Sequence, residues 1–179
     1  MSFCSILRTT MYPSLETDRL LLRPFTEDDF DDYAALCADP EVMRYAGECR
    51  PLSRGEAWRH MAMILGHWQL RGYGLWAIEL KSEQKVIGRV GCFEPEGWPA
   101  LEVGWMLARD CWGKGYASEA TKAALNWVWS ELHVSEVIHI IHPENLNSIK
   151  LAERVAAHLF EQGTFQGFET LIYKSLPQS

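Results

Sequence analysis

At 179 residues, 47% of them apolar, the chain is long enough for one domain with a real core and short for two. Its 17 Lys and Arg stand against 24 Asp and Glu, and a net charge near −7 has the wrong sign for a protein that grips phosphate backbones, so nucleic acid is not expected as a partner. No apolar run reaches the roughly 18 residues of a membrane span, residues 1–13 lack the pattern of a leader, and the five cysteines form no CxxC pair; no membrane partner is expected, and a cytoplasmic location with reduced thiols is.

Residues 19–24 (RLLLRP) read as a short strand. Thr26, followed by Glu27, Asp28 and Asp29, supplies an N-cap and an acidic first turn for a helix to about Ala38. The carboxylates of Asp28, Asp29, Asp31 and Asp32 are what a helix dipole attracts, and no His or Cys joins them at ligand spacing, so no metal is expected. Ser53 and Glu56 form a capping box. Behind it Ala57, Met61, Ile64, Leu65 and Trp68 recur at helical spacing until Gly72 and Gly74. Residues 75–80, 85–93 and 101–107 are β-type runs whose short polar or Pro/Gly-rich links suit an antiparallel meander.

From Ala117 the apolar positions again step by three and four through Leu132, giving a third long helix. Residues 137–141 form a strand, 148–157 a helix, and 159–176 two strands split near Gly167. His139 and His142 fit no zinc motif and read as structural. Trp127 and Trp129 lie off the main apolar face of their helix and either cover the sheet or form a patch for a homodimer.

The stretch from Glu102 to Ala117 runs strand, tight loop, helix start. Gly113 and Gly115 lack Cβ atoms, so backbone N–H groups there can approach a ligand closely, and the following helix offers unpaired N–H groups and a partial positive charge to an anion such as a pyrophosphate. A Walker A loop would need Gly at 108 and Ser or Thr at 115, where Ala108 and Gly115 stand, and a dinucleotide fingerprint would need Gly at 118, where Ser118 stands. Without further information, Gly-Lys-Gly also fits a plain turn between strand and helix.

These residues resemble the GNAT superfamily of N-acetyltransferases, and within it the branch of the ribosomal-protein acetyltransferases RimJ and RimL. The resemblance rests on an "L-x-T-x-R-L-x-L-R" opening (Leu15, Thr17, Arg19, Leu20, Leu22, Arg23). It rests also on a centre similar to "E-[IV]-G-[YW]…W-G-[KR]-G-[YI]-A-x-E-A" (Glu102 to Trp105, Trp112 to Ala120) and on an "N-x-x-S-x-x-x-x-E" segment (Asn145, Ser148, Glu153). It implies an α/β (α+β) fold with a central, mostly antiparallel mixed sheet, a splayed central strand pair and flanking helices. One N-acetyltransferase domain would span residues 15–176, after an extension over 1–14. Acetyl-coenzyme A would be the co-substrate, lying in the gap between residues 102–107 and 137–141. Trp105, Met106 and Leu107 would pair with its pantetheine. Trp112, Gly113, Lys114, Gly115, Tyr116 and Ala117 would cradle its pyrophosphate, with Asn145 and Ser148 beside pantetheine and sulfur. Two departures stand out. The tyrosine that many members use as general acid falls at Ala152, and the "L-G-F" after the last helix is replaced by Val155-Ala156-Ala157, which leaves that helix end open.

The resemblance implies an amine-bearing acceptor, a peptide N-terminus or a small molecule such as a polyamine or aminoglycoside; the fold could also serve a non-catalytic coenzyme A-binding module. Transfer to an amine needs a neutral nucleophile: at pH 7 deprotonation costs about 4.6 kcal/mol for a lysine-like amine of pKa ~10.4, but only about 1 kcal/mol for an α-amine. Glu102, a carboxylate position in many relatives, is the candidate base, its alternative a solvated strand glutamate. A backbone N–H near Met106 is the candidate oxyanion donor. Ser148 is the candidate proton donor to the leaving thiolate, its alternative the N-cap of its helix.

Overall fold

The computed structural model describes residues 12–177, so most of the extension over 1–14 lies outside the described residues. Eight strands form one sheet in the order β1-β2-β3-β4-β5-β6-β8-β7. The first five, β1 (Leu15–Glu16), β2 (Leu20–Arg23), β3 (Leu75–Leu80), β4 (Lys85–Phe93) and β5 (Glu102–Leu107), run as an antiparallel meander. β6 (Val137–Ile141) joins β5 in parallel, and the hairpin of β7 (His158–Phe165) and β8 (Phe168–Ser175) closes the far side through an antiparallel β6–β8 pair.

The helices follow their sequence signals with local differences. Glu27–Asp29 forms a 3-10 turn before α1 (Phe30–Ala38), and the short α2 (Pro40–Met43), capped by the Asp39 side chain, has no counterpart in the sequence expectations because one turn carries no periodicity. The expected capping box of Ser53 and Glu56 starts α3 (Arg54–Arg71), and Gly72 ends it at φ +77. α4 (Tyr116–Trp127) passes into a π-helical turn at Val128–Leu132. α5 (Leu146–Arg154) begins two residues before Ser148 and ends three short of Ala157. Behind it Ala156 occupies the left-handed region at φ +62, with the Ala156 N–H on Glu153 O (3.0 Å) and the Ala157 N–H on Ala152 O (2.9 Å).

α1 packs on α3 and β4, whereas α4 packs on β4 and β5 from the other side. Trp127 settles its alternative: its ring lies edge-on to the buried Trp76 at 5.1 Å, so it covers the sheet. The four clustered aspartates divide their work. Asp29 pairs with Arg23 and accepts the Thr26 N–H, Asp31 meets Arg54, Asp32 accepts the Val86 N–H at 3.3 Å, and Asp28 is exposed.

Candidate active site

The site begins where the sheet fails. β5 and β6 share the single rung Glu102↔Ile138, with the Ile138 N–H on Leu101 O at 2.9 Å. One residue further, His139 replaces a ladder bond. Its Nδ1 lies 2.7 Å from Val103 O and its Nε2 2.9 Å from Ser175 Oγ. A carbonyl only accepts, so Nδ1 carries the hydrogen and Nε2 receives the serine hydroxyl. Burial keeps this ring neutral, lowering its pKa to about 4 against the pull of the Val103 carbonyl. The structural role expected for His139 is thus a specific one: it ties three strands together at the point where two of them part.

Past that tie β5 has a free side. The Ala108 N–H on Ile87 O (2.8 Å), with the register Gly88↔Leu107, fixes the antiparallel alternation of β4 and β5. It turns the main chain of Met106 toward β4 and those of Trp105 and Leu107 toward the gap. The expectation that Met106 pairs with pantetheine is corrected, because its main chain serves the β4 ladder; the N–H groups near it that face the gap are those of Trp105 and Leu107. Leu107 O already accepts the Trp112 indole at 2.9 Å. The gap widens into a cleft of ≈ 730 Å³ whose walls include Trp105, Leu107, Gly113, Gly115, Tyr116, Asn145, Ser148 and Arg154.

At one end of the cleft Gly113 and Gly115 adopt φ +74 and +83, a region costly for residues with a Cβ. Among the described residues the N–H groups of 113–118 take no backbone partner, and α4 starts there. Such a row of unpaired donors at a helix start favours an anion. Arg154 and Lys150, on the α5 wall, add cationic groups that no motif announced. The loop is braced from outside. Glu119 accepts the Thr17 hydroxyl (2.6 Å), the Arg19 N–H (2.9 Å) and Arg19 Nε (2.7 Å), while Arg19 Nη1 donates to Lys114 O (2.9 Å) and the guanidinium lies over the Tyr116 ring.

At the other end stands Glu102. Gly104 lacks a Cβ where one would sit 3.2 Å from Glu102 Oε1, so the carboxylate lies over that glycine. Trp98, in the Pro/Gly-rich link before β5, donates its indole N–H to Glu102 Oε2 at 2.7 Å. Burial raises the Glu102 pKa to about 7, opposed by the Trp98 bond, the Arg89 charge and the Ile140 backbone. A half-buried carboxyl poised near neutrality is not a solvated strand residue. It also lines a second cavity of ≈ 310 Å³ on the α3 side of the sheet, where His60, Met63, Arg89, Phe93 and Phe165 are neighbours.

Ser148 is not the N-cap of α5; Asn145 is, its Oδ1 accepting the Ser148 N–H at 3.2 Å. The Ser148 hydroxyl accepts the Trp105 indole N–H at 3.1 Å, which leaves its own hydrogen free for the cleft. Ala152 is fully buried, so the missing tyrosine leaves no gap at the surface of the cleft. Tyr45, stacked on His142 at 4.9 Å, lines both cavities and was not singled out by any motif.

A profile described as "Acetyltransferase (GNAT) domain" matches residues 19–158. The chain belongs to the GNAT acetyltransferase family. It is an acetyl-coenzyme A-dependent acyltransferase by that membership, and GNAT enzymes use acetyl-coenzyme A as co-substrate. It is 32% identical over 152 residues to the uncharacterized protein YkkB of Bacillus subtilis, covering 80% of this chain and 84% of the other. An acetyltransferase structure from Agrobacterium tumefaciens superposes with a TM-score of 0.83 at 30% identity, over 92% of this chain and 95% of that one. The fold is shared too with RimL, a ribosomal L7/L12 α-N-protein acetyltransferase solved with coenzyme A, at a TM-score of 0.76, 17% identity and coverage of 92% and 98%. Among the described residues no helix is long and apolar enough to cross a membrane.

Proposed function

We propose that residues 15–176 act as one N-acetyltransferase domain that moves the acetyl group of acetyl-coenzyme A onto a primary amine by direct attack in a ternary complex. The observation that carries this reading is the position of Glu102, a wall shared by the cleft and by the adjoining cavity on the α3 side of the sheet. A donor in the cleft and an amine in the cavity would meet at that carboxylate.

In this reading the free N–H groups of 113–118 hold the pyrophosphate and the gap-facing main chains of Trp105 and Leu107 pair with pantetheine, as an added strand would. The Leu107 or Trp105 N–H, rather than that of Met106, steadies the carbonyl oxygen as it gains charge. Glu102 takes a proton from the incoming ammonium, directly or through a water, and the freed amine attacks. The C–S bond then breaks, and Ser148 passes its hydrogen to the departing thiolate while taking up the second proton of the newly acylated nitrogen, so the serine ends as it began and coenzyme A leaves as the thiol.

The test is release of thiol from acetyl-coenzyme A in the presence of a panel of amines and peptide N-termini. Wild type is expected to turn over with at least one of them. Gly115→Glu, which places bulk and negative charge among the N–H groups, is expected to abolish coenzyme A binding in calorimetry while the protein stays folded. Unchanged binding in that variant removes the loop assignment. Coenzyme A binding without thiol release for any amine removes the transferase reading in favour of a binding module.

A further inference from the structure

The cavity on the α3 side holds a cation that forms no ion pair. Arg89 stands on β4 opposite Met106, four rungs from the Phe93↔Glu102 pair on the same face of the sheet, and the one rung between them on that face is Gly91↔Gly104, which carries no side chains. Among the described residues no carboxylate forms an ion pair with its guanidinium, and its buried Nε has no hydrogen-bond partner. The groups packed on it from α1 and α3 offer no anion. Tyr33 Oη and His60 Nδ1 bond each other at 2.5 Å, burial pushes the Tyr33 hydroxyl and the Cys37 thiol up, and burial with the Arg89 charge lowers His60 to about 3. The carboxylate of Glu102 is turned to Trp98. Arg89 is half-buried and its Nε is closed off without a partner, so its hydrogen-bonding capacity is incomplete until something else in the cavity meets the guanidinium.

The rest of the cavity says what that something resembles. Phe93, Trp98 and Phe165 stand edge-to-face in series, at 5.2 and 5.0 Å between centroids, and make an aromatic wall. Glu102 and Glu169 bring negative charge to the same space, so a purely anionic ligand is repelled by them and a polycation by Arg89. Both signs are answered by a zwitterion. Resting on the acetyl-transfer reading of the same site, we propose that the acceptor is a small amine carrying a carboxylate and an apolar body, of the class of free aromatic or large aliphatic amino acids, with the carboxylate on Arg89, the body against the aromatic wall and the amine at Glu102. Polyamines and aminoglycosides would then be poor acceptors.

The experiment uses two amine-free probes, N-acetyl-L-phenylalanine and N-acetyl-L-phenylalaninamide, titrated by calorimetry into the protein saturated with coenzyme A. They have the form of a reaction product, so binding is read without turnover. Wild type is expected to prefer the carboxylate by about tenfold or more, the effect of one charge-assisted contact. Arg89→Gln should erase the preference, and Arg89→Lys, which keeps the charge but loses the planar fork, should retain part of it. Equal affinity for the two probes in wild type, no binding of either, or a preference that survives in Arg89→Gln overturns the assignment. If Arg89→Gln does not fold, Arg89→Lys carries the test, and a preference undiminished from wild type overturns it. Failure of the preceding coenzyme A titration would instead reject the acetyl-transfer reading.

Discussion

Glu102 owes its ionisation range to a balance between two neighbours of opposite effect: the protein that surrounds it favours the neutral acid, and the Trp98 indole favours the carboxylate. Glu102→Gln should keep the shape and lower kcat by about 10² to 10⁴, the usual contribution of a positioned base. The deficit should shrink as pH approaches the pKa of the amine, where solvent supplies the neutral nucleophile. Parallel, closely spaced pH–rate profiles of the two proteins would reject the role. The same shift has a stability signature. Between the ordinary value of 4.5 and about 7 the folded chain keeps a proton that the unfolded chain has lost, so stability falls as pH rises through that window. The Gln variant should therefore match wild type below the window and melt higher above it. Trp98→Phe removes a donor to the charged form and should move the acid limb of the kcat/KM profile upward; an unmoved limb would show that the indole does not tune the base. Glu102 was legible in the sequence because it stands in a motif. Trp98 and Arg89 were not, since a tryptophan in a loop and an arginine in a strand gain their meaning only when the register of β4 and β5 brings them to one face.

Elements were legible where burial imposes a period. The strands at Leu75–Leu80, Lys85–Phe93 and Val137–Ile141 match the sequence runs, because apolar stretches bounded by turn residues leave little freedom in placing them. Ends set by one side chain were harder. Asn145 and Ser148 are both capping types three residues apart, and only the observed bond shows which caps the other. The last turn of α5 is a case where the chain works against local preference. The residue after the cap takes the left-handed conformation that favours glycine, and here it is Ala156, exposed and at φ +62. Ala156→Gly is expected to raise stability by about 1 kcal/mol, the order of the steric relief in that region. Chemical denaturation reads it directly, and a loss of stability would mean that the position carries no strain. The opening motif of Thr17 and Arg19 gained a physical reason from its contacts: it braces the glycine loop through Glu119, 100 residues away from Arg19 in the chain.

At the level of the whole molecule, the sheet is one surface with a tear in it, and His139 marks where the tear stops. An imidazole that must stay neutral makes the closure sensitive to acid. Its pKa of about 4, against an ordinary 6.5, means that the unfolded chain takes up a proton first as pH falls. The contribution is present above 6.5 and lost as pH drops through about 4; burial and the Arg89 charge give His60 the same sign. His139→Gln, whose amide can meet both Val103 and Ser175 without titrating, should flatten the decline in melting temperature between pH 6.5 and 4. An unaltered decline would place the acid sensitivity elsewhere. That the sheet is mostly antiparallel and splays between residues 102–107 and 137–141 followed from the family resemblance. Nothing in a linear pattern tells where a parallel pair will part, because that depends on a histidine meeting a serine 36 residues further along the chain.

The tear also divides traffic. The cleft runs toward the glycine loop and α5, the cavity toward the turn between β7 and β8, and the two meet along Tyr45, Gly47, Arg89, Glu102, Gly104 and Ile140. With acetyl transfer centred on that carboxylate, donor and acceptor do not queue at one door. Two openings would let either substrate enter with the other already seated, so the order of binding is expected to be random, and product-inhibition kinetics showing a compulsory order would count against two entrances.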